Sequence, residues 1–263
     1  MKGKEGHCGL CRKSAELRNS HLLPAALYKF FRNPADGPNS SPIHVTTKKI
    51  FSSDKQITEY FLCGRCEQQF AANGESYVLR QCDRQNGTFR LRDLLQGTSV
   101  LCDLGEEKVY EVASLLGDKT ERYLYFGASV FWRAAARSWM CRGAGVAPIN
   151  LGHYEEQLRL YLLGEAGFPA NGRLFVNVSS NGQTGVTIPP LEGQLTLSTY
   201  KGPYYKFYIP GILFTLISNR EGASACDSIA LNSSRGKFML LSPWKDDSLF
   251  NYAVAGIKLS MRK

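Results

Sequence analysis

The sequence predicts an α+β protein in which a small metal-built module precedes a helical segment and a mostly antiparallel β region. Three observations carry this. Cys8-Gly9-Leu10-Cys11 and Cys63-Gly64-Arg65-Cys66 are two Cys-x-x-Cys pairs, which together supply the four thiolates of a closed tetrahedral zinc site. The middle of the chain, residues 123–140 and 154–163, places apolar side chains at helical spacing. From residue 173 onward, short apolar runs alternate with Gly, Pro, Asn and Ser, which is the texture of strands and turns. The change in texture between residues 83 and 105 divides the chain into a zinc-binding module, 1–85, and an α+β region, 86–263.

Composition excludes several classes. At 263 residues with 43% hydrophobic content the chain suits a globular protein of one or two domains. No apolar run reaches the roughly 18 residues needed to span a bilayer, so no membrane partner is expected. The start, Met1-Lys2-Gly3-Lys4-Glu5, has no apolar core of the secretory kind, and a cytoplasmic location is the expectation. The eight cysteines fall into two tight pairs plus Cys82, Cys102, Cys141 and Cys226. In that setting the paired ones read as metal ligands and the scattered ones as free thiols.

The formal charge is +9, and four thiolates on one zinc ion bring it to about +7. Residues 1–100 hold 15 Lys/Arg against 9 Asp/Glu, while residues 101–263 hold 17 against 14. An amino-terminal basic bias suits a polyanion such as nucleic acid, although a solvated basic surface reads the same way.

In chain order, residues 12–20 are polar and short. Pro24 is placed to begin a helix in which Leu27, Phe30 and Phe31 share a face. Residues 33–42 are a loop by composition, and 44–51 and 56–62 read as a two-stranded hairpin. After Cys66, residues 67–80 are expected to be helical with an interruption at Asn73-Gly74. Knuckle, histidine segment, helix, hairpin, knuckle, helix is the order of a treble-clef zinc finger. Further on, 88–95 reads as a strand, 109–116 as a helix, and 123–140 and 154–163 as helices. The runs 174–178, 185–188, 194–200, 204–209, 212–218, 237–241 and 252–259 read as strands.

With Cys8-x-x-Cys11, Ser20-His21-Leu22-Leu23-Pro24 and Leu62-Cys63-x-x-Cys66-Glu67 in view, residues 6–80 resemble a zinc-bearing HNH (ββα-metal, treble-clef) endonuclease domain. The resemblance implies that the four cysteines hold a structural Zn²⁺. It also implies that His21 is the general base that activates water, and that a divalent ion sits against the scissile phosphate. The family's usual aspartate is replaced here by Ser20, its asparagine has Thr58 as the nearest equivalent, and Glu67 stands where a last histidine is usual. Glu67, and after it Glu75, are the candidate ligands for a catalytic Mg²⁺ or Mn²⁺, which prefer oxygen donors. The implied function is a metal-dependent hydrolase of phosphodiester bonds, acting on DNA more than RNA. Chains of this pattern resemble bacterial proteins near defence or mobile genes.

Blander readings stand beside these. His21 would also serve as a polar residue ordering the loop before a helix, or as a substitute zinc ligand. Glu67 would also serve as an acid at a helix N-terminus, favourable through the dipole by about 0.3–1 kcal/mol. His7, His44 and His153 read as surface or capping groups. The aromatic and basic run Lys201–Tyr208 reads as a hairpin with one aromatic face buried more readily than as a base-stacking platform. Arg133 and Arg137, four apart on the Trp132 helix, have the spacing of a phosphate clamp but read more readily as a solvated stripe. The alternative to an enzyme is a non-catalytic, zinc-stabilised module that binds nucleic acid or a protein partner, the latter through the carboxy-terminal region.

Overall fold

In the computed structural model, residues 4–30, 43–45, 50–52, 56–84, 87–141, 144–181, 187–196, 201–218, 224, 227–244, 247 and 251 are described. The expected loop at 33–42, the last expected strand at 252–259, residues 185–186 of the 185–188 run and residues 197–200 of the 194–200 run lie outside them.

The amino-terminal strands β1 (Lys4–His7), β2 (Ser14–His21) and β5 (Thr58–Cys63) pair antiparallel in the order β1-β2-β5. The chain then turns at Cys63 into α1 (Gly64–Phe70), a π-helical turn (Ala71–Glu75) and α2 (Ser76–Gln81). The expected break at Asn73-Gly74 is therefore a local widening of one continuous helical stretch. Its cause is close packing. A Cβ added at Gly74 would lie 3.0 Å from the Phe126 backbone, so only glycine lets this turn sit against the neighbouring helix.

Several expectations are corrected. Most of the segment 12–20, from Ser14 on, is β2 rather than a polar link, and it pairs with β5. The run 44–51 is itself a small hairpin, β3 (Ile43–Val45) with β4 (Ile50–Ser52), rather than the partner of 56–62. The helix expected after Pro24 is a short 3-10 turn, Ala25–Lys29. Residues 88–95 form α3 (Arg90–Gln96), not a strand, because Leu91 and Leu95, four apart, are the side chains that bury. Residues 109–116 are strand β7 (Lys108–Glu111) followed by the short α4 (Ala113–Leu116), not one helix. That strand pairs with a partner far along the chain, which outweighs local propensity.

The long helix, α5 (Thr120–Ala136), ends four residues earlier than expected. Trp139 and Met140 then enter β8 (Trp139–Cys141), which joins the edge of β5 and carries β9 (Ala144–Val146) beside it. The first sheet thus reads β1-β2-β5-β8-β9. The helix α6 (Tyr154–Leu163) keeps its expected bounds.

The second sheet is seven-stranded, built from β6 (Cys102–Asp103), β7, β10 (Gly172–Ser179), β11 (Ile188–Thr196), β12 (Lys201–Ile209), β13 (Ile212–Ser218) and β14 (Phe238–Ser242). Its order is β11-β12-β13-β10-β14-β7-β6, with β10 and β14 the parallel pair and the other pairings antiparallel.

Helix α5 is the spine of the protein. A helix apolar on every side belongs inside a core, and α5 buries residues along nearly its whole length. Trp132 stacks on Phe61 and meets Phe70 edge-on, which faces the cysteine-bearing part. Phe126 and Phe131 pack on Phe207 and Phe214, which face it from the seven-stranded sheet. Gly127 allows this approach, since a Cβ there would lie 2.9 Å from Leu174. One hydrophobic core runs without a break from Cys8 to Leu241, across residue 85.

In β12, Tyr205 and Phe207 are buried on one face, and Tyr208, on the other, is buried as well and meets Trp244 edge-on, so the expected single buried aromatic face is only part of the arrangement. Lys206 is spoken for by Asp247, 2.8 Å away.

Candidate metal centre and the adjoining histidine site

Cys8 and Cys11 flank the turn after β1, Cys63 ends β5, and Cys66 lies in the first turn of α1. The fold brings all four sulfurs within 4.8 Å of one another, with Cys11 Sγ and Cys63 Sγ 4.0 Å apart. In a tetrahedron with metal–sulfur bonds of about 2.3 Å the sulfurs stand about 3.8 Å apart, so the group is shaped for a metal ion such as zinc. The turn is held by backbone bonds. Gly9 N–H donates to Phe61 O at 2.9 Å, and Arg12 N–H to Cys8 O at 2.8 Å with Arg12 at φ 60°. Gly9 lies flat on the Phe61 ring, where a Cβ would collide at 2.0 Å.

The electrostatics of the cluster favour a thiolate without the ion. Cys8 is lowered to about 4, chiefly because the Cys66 thiol hydrogen-bonds to its sulfur, with the Cys63 N–H also donating to it at 3.3 Å. The same bond, with burial, pushes Cys66 up, and burial raises Cys11. Helix α6 braces the first knuckle from the other side. Arg159 Nη1 donates to Leu10 O at 2.8 Å and its other donors grip Glu156, which Arg12 also reaches. Cys82 is buried and Cys102 exposed, both as free thiols.

His21 ends β2, next to a register shift between Arg18 and Asn19. Its ring is half-buried, and burial holds its pKa below the ordinary 6.5 against the upward pull of a Gln56 hydrogen bond and of Glu67. A histidine so placed is neutral at pH 7. Glu67, in the first turn of α1, has one carboxylate oxygen, Oε1, buried without a hydrogen-bond partner among the described residues. Glu75 closes the π-helical turn, a feature that recurs at functional sites. It is paired with Arg133, 2.7 Å away.

Arg133 organises this corner. It is 1% exposed, the only charged side chain among the largest fully buried ones of the described residues. Its Nη1 donates to the His21 carbonyl at 2.9 Å, Nη2 to Glu75 Oε1, and Nε to Ser129 O at 3.2 Å, while the guanidinium lies 5.2 Å from the Phe70 ring. The expected solvated stripe is therefore wrong for Arg133. Arg137 is half-exposed and reaches Glu59 at 3.4 Å. The sequence carried no signal for this, because an arginine among small and apolar residues reads the same whether water or a carboxylate receives it.

The fold thus brings His21, Glu67 and Glu75 into one electrostatic neighbourhood, with Arg133 as its unforeseen member. The three do not form a second group of metal-ligand spacing among the described residues, where the four cysteines are the group that qualifies. Ser20, in the position where the resembled family carries aspartate, is 1% exposed. Its hydroxyl accepts from Leu62 N–H at 3.0 Å and donates to Arg18 O at 3.4 Å. His153 stacks on Tyr154 at the start of α6, and His7 is exposed. The side chain of His44 lies outside the described residues.

Comparison with known protein families, curated proteins and solved structures gives no match to this chain. No helix among the described residues is long and apolar enough to cross a membrane.

Proposed function

We propose that the cysteine cluster binds a structural Zn²⁺ in a treble-clef arrangement, and that His21 and Glu67 form the site of an HNH-like, metal-dependent endonuclease acting on DNA more than RNA. The observation that carries the reading is the buried, unpartnered Glu67 Oε1 beside an imidazole kept neutral by burial. A buried carboxylate oxygen without a partner is costly, and a cation is the usual remedy. Mg²⁺ or Mn²⁺ on Glu67 would stabilise charge on the leaving oxygen. Glu75 is the weaker ligand, because Arg133 already holds it.

In this reading His21 accepts a proton from water as the water oxygen bonds to phosphorus. The P–O ester bond then breaks, and the leaving oxygen takes a proton from solvent. The Gln56 hydrogen bond orients the ring, and the Arg133–His21 carbonyl bond fixes the strand end that carries it.

The test is cleavage of plasmid DNA and of a labelled RNA with Mg²⁺, Mn²⁺ or no added ion. Metal-dependent nicking that His21→Ala and Glu67→Gln each abolish is the expected result. No cleavage under any metal, or full activity in His21→Ala, overturns it.

The burial of Ser20 favours a second reading. With that hydroxyl used to hold β2 against β5, one family ligand is replaced by a structural bond. A non-catalytic, zinc-stabilised binding module would then bind nucleic acid with steep salt dependence and no turnover.

A further inference from the structure

A cleft of about 530 Å³ opens beside the histidine site, between the Ala25–Lys29 turn, the π-helical turn and α2. It begins at Pro24, three residues after His21, and Phe30, Glu75, Leu79, Arg80 and Arg84 line the rest of its polar and aromatic rim. The Arg84 guanidinium lies 4.1 Å from the centre of the Phe30 ring and donates to Leu79 O at 3.5 Å. The Glu75 charge is offset by Arg133, so Arg80 and Arg84 leave the cleft net positive.

We propose that this cleft holds one unpaired nucleotide of a nucleic-acid strand, an assignment that rests on the nucleic-acid reading above and gives it a substrate class. Apolar walls with a ring at the rim suit a base face, and two guanidiniums suit the phosphates on either side of it. A metal ion is poorly served here, since Glu75 is the one carboxylate among the described residues that line the cleft and is already paired. A purely apolar ligand would use neither guanidinium. A base inside an intact duplex cannot enter a recess of this kind, so the strand must be single or the nucleotide flipped out.

The experiment is fluorescence anisotropy of labelled single-stranded DNA and RNA, and of the corresponding duplex, with the full chain carrying His21→Ala so that no turnover intervenes. Tighter binding of a single strand than of duplex is expected. Arg80→Ala/Arg84→Ala should weaken single-strand binding about 10- to 100-fold and lower the slope of log affinity against log salt by about 1.4, for two phosphates lost. Phe30→Ala should weaken it at all salt concentrations without changing the slope. Circular dichroism and bound zinc identify any variant that misfolds, and Arg80→Gln, at an exposed position, should then still show half of the slope change. Equal affinity for duplex and single strand, or parental binding and slope in the Arg variants of folded protein, overturns the assignment. Cleavage with unaffected variants would leave the nuclease reading standing and this one fallen; variant-sensitive binding by a parent that never cleaves would do the reverse.

Discussion

Arg133 Nη2 and Glu75 Oε1 lie 2.7 Å apart, a cation from the long central helix locked to a carboxylate on the π-helical turn. Removing one partner of a buried pair strands the other charge, which costs about 3–5 kcal/mol. Arg133→Met is expected to destabilise by that order in urea unfolding. Adding Glu75→Gln should recover part of the loss, because the stranded carboxylate is gone; the cycle of single and double variants measures the coupling.

Gly74 gives a prediction of opposite sign to ordinary helix propensity. At an open helical site Gly→Ala stabilises by up to about 1 kcal/mol. Here the new Cβ meets the Phe126 backbone at 3.0 Å, and backbone cannot swing aside. Gly74→Ala should therefore destabilise by about 1–3 kcal/mol, read as a lower denaturation midpoint.

Metal removal should be felt mainly by the amino-terminal part. One zinc per chain is expected by elemental analysis, and Cys8→Ser or Cys63→Ser should abolish it. Because Cys11 and Cys66 are raised, both hold protons that the ion must displace. Zinc loading should release protons into a weakly buffered solution containing an indicator dye, and affinity should fall as pH is lowered.

The depressed His21 pKa carries its own stability signature. Below the ordinary 6.5 the unfolded chain binds a proton that the folded imidazole refuses, so the folded state loses ground as pH falls from 6.5 toward the lower folded value. Above 6.5 both states are neutral and the effect vanishes. His21→Gln should flatten this part of the stability–pH curve, measured by urea midpoints between pH 5 and 8. If the histidine is a base, cleavage should hold constant from pH 7 upward and decline on the acid side below 6.5.

The parts of this fold that were legible in the sequence are those written locally. The pattern Cys-x-x-Cys announces itself by spacing, and α6 and β13 by uninterrupted period, with bounds that match residue for residue. The strand β2 was not legible. One of its faces is open to water and only Leu17 and Ser20 are buried, so it lacks the alternating apolar signal. The end of α5 was missed because Trp139 and Met140 are apolar enough to prolong a helix. They leave it only because β5 offers an edge.

By itself, then, the sequence determined the four cysteines as one cluster, the α+β character and the β-rich carboxy-terminal region, since each depends on residue types at short separation. Tertiary structure alone decided that Arg133 is buried against Glu75 and the His21 carbonyl, that Ser20 braces two strands, and that the main core joins residues from Cys8 to Leu241. Burial is a relation between segments distant in sequence. A lone arginine does not declare whether water or a carboxylate will receive it until the helix that carries it has been packed.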